Sequence, residues 1–498
     1  MTEEISGAPS ACNSWESINW VAVEQQVNRL QMRIAKAAKE GRQGRVKALQ
    51  WLLTHSRSAK LLAVKRITQN RGRKTAGVDN VILRTQKQKM LTVDSLDRRG
   101  YKAKPLRRIY IPKKKGLRPL GIPTMKDRAM QALHLSALEP ISETTADRDS
   151  YGFRPKRSAA DAIEQCFICL NSRMRTQWIL EGDIKACFDT INHEWLLNNI
   201  PTDKKVLKQW LSAGYVENQI LLPTEEGTPQ GGIISPVLAN MALDGLEKTV
   251  YKAVYPTYLN KVYVVRYADD WLVMAESKEL LESKIKPAIE NFLRDRGLEL
   301  SQEKTKITNV NQGVDFLGFN IRRYSGKLLI KPAKSGVKRF LERIRAVIKT
   351  NISSKTSELL RQLNPKIGGW AQYYKHVVSK RTFSTIDDSI FHMLIRWIYR
   401  RHPNKNLKWK KEKYFRTQGF RNWVFSTKIN TEKGKSFDLD LCKMMDVPIQ
   451  RHVKIRKDAN PYDPVYLEYF KKREKRVKPE KQDAYLIALK TGNFVGIR

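Results

Sequence analysis

Three acids carry the chemistry open to this sequence. Asp269 and Asp270 stand side by side in VYVVRYADDWLVMA, residues 262–275, and Asp183 stands earlier in QWILEGDIKACFDTINHEWLL, residues 177–197. Adjacent carboxylates on an apolar hairpin repel each other, and burial sharpens the repulsion. A cation between them relieves it, and magnesium, which takes hard oxygen ligands, is the natural candidate. Asp is also common in turns, so the pair alone reads equally well as an ordinary hairpin tip. Asp183 shifts the balance. If its strand shares a sheet with the hairpin, the acids can hold two metal ions ~4 Å apart, the arrangement that stabilises the attacking and leaving oxygens of phosphoryl transfer.

Several elements must position these acids. Residues 262–275 read as strand, tight turn and strand, rich in Val, Tyr, Trp and Leu, which fit a pleated, half-buried surface. Asp183 ends a strand that leads into a helix, with Phe188 and Asp189 following. Residues 105–123, PLRRIYIPKKKGLRPLGIP, read as a hairpin whose two strands flank KKKG. Lys113, Lys114, Lys115 and Arg118 would project from it, and such cations pair strongly with the oxygens of a triphosphate. Residues 227–247, GTPQGGIISPVLANMALDGLE, read as a Gly-rich loop opening a helix. Gly227, Gly231 and Gly232 allow close backbone approach, and Ser235 and Pro236 suit the N-cap and first helical position. The spacing does not fit a Walker-type P-loop. In DRDSYGFRPKRSAADAI, Arg154, Lys156 and Arg157 precede a helix starting near Ser158, a setting that favours phosphate.

The composition points to a polyanionic partner. The chain has 498 residues, with 93 Lys plus Arg against 50 Asp plus Glu, a net charge of +43 spread along its whole length. A compact protein this basic repels itself unless a polyanion shares its surface, and extended nucleic acid is the first candidate. Residues 15–70 read as a basic helical hairpin broken at GRQG. From about Lys334 the chain reads as basic helices with interleaved Trp and Tyr, which suit phosphate contact and base stacking as well as inward packing. Residues 430–470 look less regular, and KKREKRVKPEKQ near the end is a charge run. Cys166 and Cys169, at helical spacing in QCFICL, read as core residues. No signal-like N-terminus and no run near the ~20 apolar residues of a membrane span is present, so a soluble intracellular protein is expected.

In combination, seven segments resemble, in order, the polymerase blocks of the reverse transcriptases encoded by group II introns. They are RRIYIPKKKGLRPLGIPTMKDRAMQ, YGFRPKRSAADAI, GDIKACFDTINH, GTPQGGIISPVLANM, RYADD, GLELSQEKTKI and VDFLGF. GGWAQYYKHVV and the residues after it resemble the family's maturase region, domain X. The resemblance covers nearly the whole chain. It implies an α+β right-hand polymerase of fingers, palm and thumb, with an antiparallel palm sheet followed by a basic helical thumb. The expected domains are an N-terminal helical extension over 1–80, fingers and palm over 81–330, and thumb and domain X over 331–410. A DNA-contacting region over 411–470 and a basic tail over 471–498 complete the chain.

The resemblance also implies residue roles. Asp183, Asp269 and Asp270 would bind two magnesium ions, with the backbone carbonyl of Ile184 as a further ligand. Phe188 would wall off a ribose 2′-OH and so select deoxynucleotides, while Gln230 and Gly231 line the nucleotide pocket. Lys113 and Arg118 would hold the triphosphate, with Lys114 and Lys115 as alternatives to Lys113. Lys304 would protonate the leaving pyrophosphate, with Lys306 close by. The implied activity is copying intron RNA into DNA and assisting intron splicing. The partners are host intron RNA, an RNA template with a DNA primer, dNTPs and target DNA, in the bacterial cytoplasm or nucleoid. The chain stops at Arg498 without Cys pairs or an HNH-like His cluster, so no endonuclease is expected. A splicing-only maturase and a domesticated reverse transcriptase in defence or repair are the competing readings.

Overall fold

The structure, a computed structural model, describes residues 14–112, 116–171, 176–217, 219–228, 231–256, 261–430 and 436–477. It divides into two compact units. The first comprises Met1–Gln165, Arg175–Ile307 and Ile455–Phe470; the second comprises Cys166–Met174, Thr308–Lys454 and Lys471–Arg498. The sequence groups Ile455–Phe470 with the region from 411 onward, whereas the fold returns it to the first unit.

The first unit begins with helices. Asn19 caps Trp20–Lys39, its side chain accepting from the Ala22 amide at 3.1 Å, and Val23, Val27, Leu30 and Ile34 line the buried stripe. The expected second helix is two, Gln43–His55 and Arg57–Gln69, separated at Ser56, whose ψ of 128° is extended. These helices pack on Met125–Thr145, 21 residues long and buried along most of its length. Thr124 caps that helix, and the buried Asp127 carboxylate accepts from Thr124 and Tyr101 hydroxyls at 2.6 and 2.7 Å.

Two sheets complete the unit. One contains β1 (Leu106–Pro112), β2 (Leu117–Ile122), β4 (Tyr215–Glu217) and β5 (Ile220–Leu222), in the order β2-β1-β4-β5. The β1–β2 pair is the hairpin read from the sequence. The other contains β3 (Trp178–Gly182), β6 (Tyr263–Tyr267), β7 (Asp270–Ala275) and β8 (Lys306–Asn309), in the order β6-β7-β3-β8. β7 lies inside this sheet, and Trp271 to Ala275 are all buried, which explains its unbroken apolar run. The helical stretch from Lys278 carries one π-helical turn, Leu281–Ile285, before resuming as Lys286–Arg294.

The second unit has a sheet of β9 (Val314–Phe316), β10 (Phe319–Tyr324) and β11 (Lys327–Pro332), in the order β11-β10-β9. Helices Lys334–Thr350, Thr356–Tyr374, Lys380–Arg401 and Leu407–Tyr414 come next. Many of their aromatics face inward. The Trp370 ring packs on Phe340 and Tyr374, with centroids 5.1 and 4.3 Å apart, and buried Trp397 donates to the Asn351 carbonyl at 3.0 Å. The unit ends in a meander of β12 (Phe415–Gln418), β13 (Arg421–Asn430) and β14 (Ser436–Asp440). No helix among the described residues is long and apolar enough to cross a membrane.

Candidate active site

The hairpin sets two of the acids. β6 and β7 pair with Tyr267 opposite Asp270, leaving Ala268 and Asp269 as a two-residue loop. Ala268 has φ of +59°, the sign a type II′ turn requires at its first loop residue. Asp269 therefore occupies the turn itself, and Asp270 opens β7.

β3 delivers the third acid. It runs antiparallel to β7 with Gly182 opposite Trp271, so Asp183 leaves the strand at the level of Asp270. Only glycine fits at 182, because a Cβ there would lie 2.0 Å from the Trp271 ring. Past the strand, the Ser301 amide donates to the Asp183 carbonyl at 2.8 Å and the Lys185 amide to the Glu299 carbonyl at 2.9 Å. These bonds use the groups on either side of Ile184, so the Ile184 carbonyl turns to the opposite side.

The electrostatics tie the acids together. Burial, then repulsion from Asp269 and Asp183, pushes the Asp270 carboxyl up to about 6. The Lys304 ammonium lies 2.7 Å from the Asp183 carboxylate, and that hydrogen bond raises its own pKa. Lys306 instead opens β8. Burial, then Asp269, pushes the Cys187 thiol up to about 12, so it offers no thiolate here.

Among the described residues no three His, Cys, Asp or Glu side chains converge as a ready-made metal cage. The donor set nevertheless suits magnesium. It offers hard carboxylate oxygens that repel one another, and a lysine ammonium already answers that repulsion.

The other candidate residues lie on the short helix after Asp183, the Gly-rich loop and β2. Phe188 lies on the short helix Cys187–Thr190, half-buried, its ring edge-on to Phe153 with centroids 6.4 Å apart. The Thr228 amide donates to the Phe188 carbonyl at 2.6 Å, and the His193 Nε2–H to the Gly227 carbonyl at 2.7 Å. Gly227, with φ of +82°, leaves no room for a side chain, since a Cβ would lie 2.5 Å from the Asp189 backbone. At the loop's other described end, Gly231 has φ of +120° and its Cβ would lie 2.5 Å from the Gly121 carbonyl on β2. Arg118 is exposed on β2 opposite Ile111. Lys113 and Gln230 lie outside the described residues.

Two expectations are corrected. Arg154 is no phosphate ligand. It is buried, forks onto Glu143 at 2.8 and 2.9 Å, and donates to the Asp147 and Ser150 carbonyls. Arg157 instead holds the Lys457 carbonyl at 2.9 Å. The helix after the Gly-rich loop includes Ser235 as its first residue, with Ile234 at the cap.

Arg266 escapes a reading of the sequence that looks only for phosphate ligands and acids. It is buried under the hairpin, donating to Asp244, to the Asn240 side chain at 3.2 Å and to the Ala268 carbonyl at 3.5 Å. A signal exists: an arginine within YVVRY must find a partner when the strand is buried.

Residues 111–321 match the family model "Reverse transcriptase (RNA-dependent DNA polymerase)". Residues 15–96 match "N-terminal domain of reverse transcriptase", and residues 337–415 match "Group II intron, maturase-specific domain". These matches define a reverse transcriptase with a mixed α/β polymerase part and a helical maturase part. Protein YkfC of Escherichia coli is 33% identical over 309 residues, spanning 53% of this chain and 80% of that protein. The group II intron-encoded protein LtrA of Lactococcus lactis is 33% identical over 342 residues, spanning 54% of this chain and 55% of that protein. A solved telomerase from Candida albicans has a TM-score of 0.39 at 13% identity, covering 63% of this chain and 61% of its own. The chain belongs to the group II intron reverse transcriptase and maturase family, a family of RNA-directed DNA polymerases.

Proposed function

We propose that this protein copies intron RNA into DNA by two-metal nucleotidyl transfer and binds the same RNA to assist its splicing. The observation that carries the reading is that strand pairing brings Asp183, Asp269 and Asp270 to adjacent strand ends. Burial, then repulsion from Asp269 and Asp183, raises Asp270 to about 6, and Lys304 stands 2.7 Å from Asp183. In right-hand terms, residues 81–330 serve as fingers and palm and residues 331–410 as thumb and maturase domain. Residues between 411 and 470 contact target DNA.

The proposed reaction joins the primer 3′-oxygen to the α-phosphorus of a dNTP. The bond from that phosphorus to the bridging oxygen breaks, and pyrophosphate leaves. Asp183, Asp269 and Asp270, with the Ile184 carbonyl, would hold two magnesium ions. When bound, these lower the pKa of the attacking hydroxyl and neutralise charge on the leaving oxygens. The primer hydroxyl loses its proton to solvent, and Lys304 gives its proton to the pyrophosphate. Arg118 on β2, with Lys113 or its neighbours Lys114 and Lys115, grips the triphosphate. Phe188 excludes a 2′-hydroxyl, and the Gly231 backbone, with Gln230, lines the pocket.

Asp269→Ala tests the reading. Purified protein should extend a DNA primer on an RNA template with magnesium, and the variant should not, while both assist intron splicing. Wild-type protein that promotes splicing without any extension would leave a splicing-only maturase. Extension that survives in the variant would remove the metal assignment.

A further inference from the structure

A stretch near the C-terminus is fastened to residues 139–161, the segment that runs on to the edge of β6. Ile455–Phe470 belongs to the same compact unit as the two sheets. It is tied there in series. The Ile455 amide donates to buried Asp161 at 2.8 Å, Arg157 donates to the Lys457 and Ala459 carbonyls, and the Asn460 side chain donates to the Thr144 hydroxyl at 3.2 Å. The Tyr462 hydroxyl donates to Glu139.

Lys457 makes the contact that matters most. Its ammonium lies 2.5 Å from the Asp149 carboxylate, whose side chain is only 2% exposed. Asp149 begins the segment that closes the open edge of β6. The Arg266 amide donates to the Asp149 carbonyl, and the Tyr151 amide to the Arg266 carbonyl, each at 2.9 Å. Gly152 then lies flat on the turn, for a Cβ there would be 2.4 Å from the Ala268 amide. Phe153, next in line, faces the Phe188 ring. Residues 149–153 therefore touch both the turn that presents Asp269 and the proposed sugar wall.

Asp149 is poorly provided for without Lys457. Its carboxylate also accepts from the Tyr151 hydroxyl at 2.9 Å and the Gln165 amide at 3.4 Å, and neither brings charge. Glu247 accepts from the Asp149 amide at 3.3 Å, and burial and Asp149 both raise its pKa while Lys457 lowers it. One ammonium thus answers a buried acid and a half-buried one.

We propose that Lys457 is a positioning residue for nucleotidyl transfer. Through its ion pair with Asp149 it anchors residues 149–153 against β6 and fixes the turn that carries Asp269. The inference rests on the polymerase reading above. A misplacement of about 1 Å at a reacting centre costs up to about 100-fold in rate, so a loosened clasp should cut turnover rather than substrate binding.

The test measures primer extension by full-length protein on an RNA template. Lys457→Met should lower kcat about tenfold or more, with KM for dNTP and affinity for template–primer within about twofold, and should raise ribonucleotide incorporation. Lys457→Arg, which keeps the charge, should recover kcat to within about twofold. Lys457→Met also strands a buried charge, so the Asp149→Asn/Lys457→Met double variant removes both and guards the fold; its kcat should stay at least about fivefold low. Wild-type kcat in the double variant, or a Lys457→Met variant with only a lower melting temperature, would overturn the clasp. Failure of the wild-type protein to extend primers would overturn the polymerase reading instead.

Discussion

Replacing Lys304 separates chemistry from stability. Its side chain is 65% exposed and that of Asp183 27%, so the ion pair is close to a surface pair despite its 2.7 Å length. Such pairs contribute about 0–1 kcal/mol to folding, so Lys304→Met should leave the melting temperature nearly unchanged. A general acid contributes about 10²–10⁴ in rate, which corresponds to about 3–5 kcal/mol of barrier. The rate effect therefore exceeds the stability effect several-fold, and one variant reads both. The assay is single-turnover primer extension at saturating dNTP, beside a thermal melt. Lys304→Arg refines it, because arginine keeps the positive charge near Asp183 but holds its proton too tightly to donate it. Loss in both variants supports proton donation. Recovery in Lys304→Arg would make the residue a charge partner only, and a Lys304→Met rate within about threefold of wild type would refute any role in the chemistry.

Gly182→Ala drives a methyl into the Trp271 ring, so it should cost about 1–3 kcal/mol by denaturant melting and reduce extension, since Asp183 is the next residue; an unchanged melt would refute that packing. Phe188→Ala should admit ribonucleotides, read as a higher ratio of rNTP to dNTP incorporation, and an unchanged ratio removes the sugar-wall role. Burial pushes His134 down to about 4 from its ordinary 6.5, so the unfolded chain binds the extra proton between these values. Stability is complete above pH 6.5 and falls by about 3 kcal/mol as pH drops to 4, and His134→Leu should flatten that limb of the pH–stability curve.

The site was legible where local pattern and chemistry coincide. The apolar flanks of the YADD hairpin and the acid at the end of the WILEG strand fixed both partners, and the pleat does the rest by setting Gly182 across from Trp271. The β1–β2 hairpin was legible because prolines and KKKG bound two short apolar runs. What escaped depends on partners distant in sequence. Arg154 looks like a phosphate ligand until Glu143 is seen to occupy its fork. Lys457 looks like one of many basic residues until the chain returns it to Asp149. The meander over Phe415–Asp440 was hidden because its lysines and aromatics resemble the preceding helices in composition, and only cross-strand pairing distinguishes them. Ser56 divides two helices with no Gly or Pro to announce it.

Two-metal transfer requires that Asp183, Asp269 and Asp270 hold metal together. Manganese binding, followed by electron paramagnetic resonance in the complex with template, chain-terminated primer and incoming dNTP, tests it most directly. Two ions should bind to the wild-type complex, and Asp183→Asn and Asp269→Asn should each lose at least one. Equal binding in all three proteins would contradict the account.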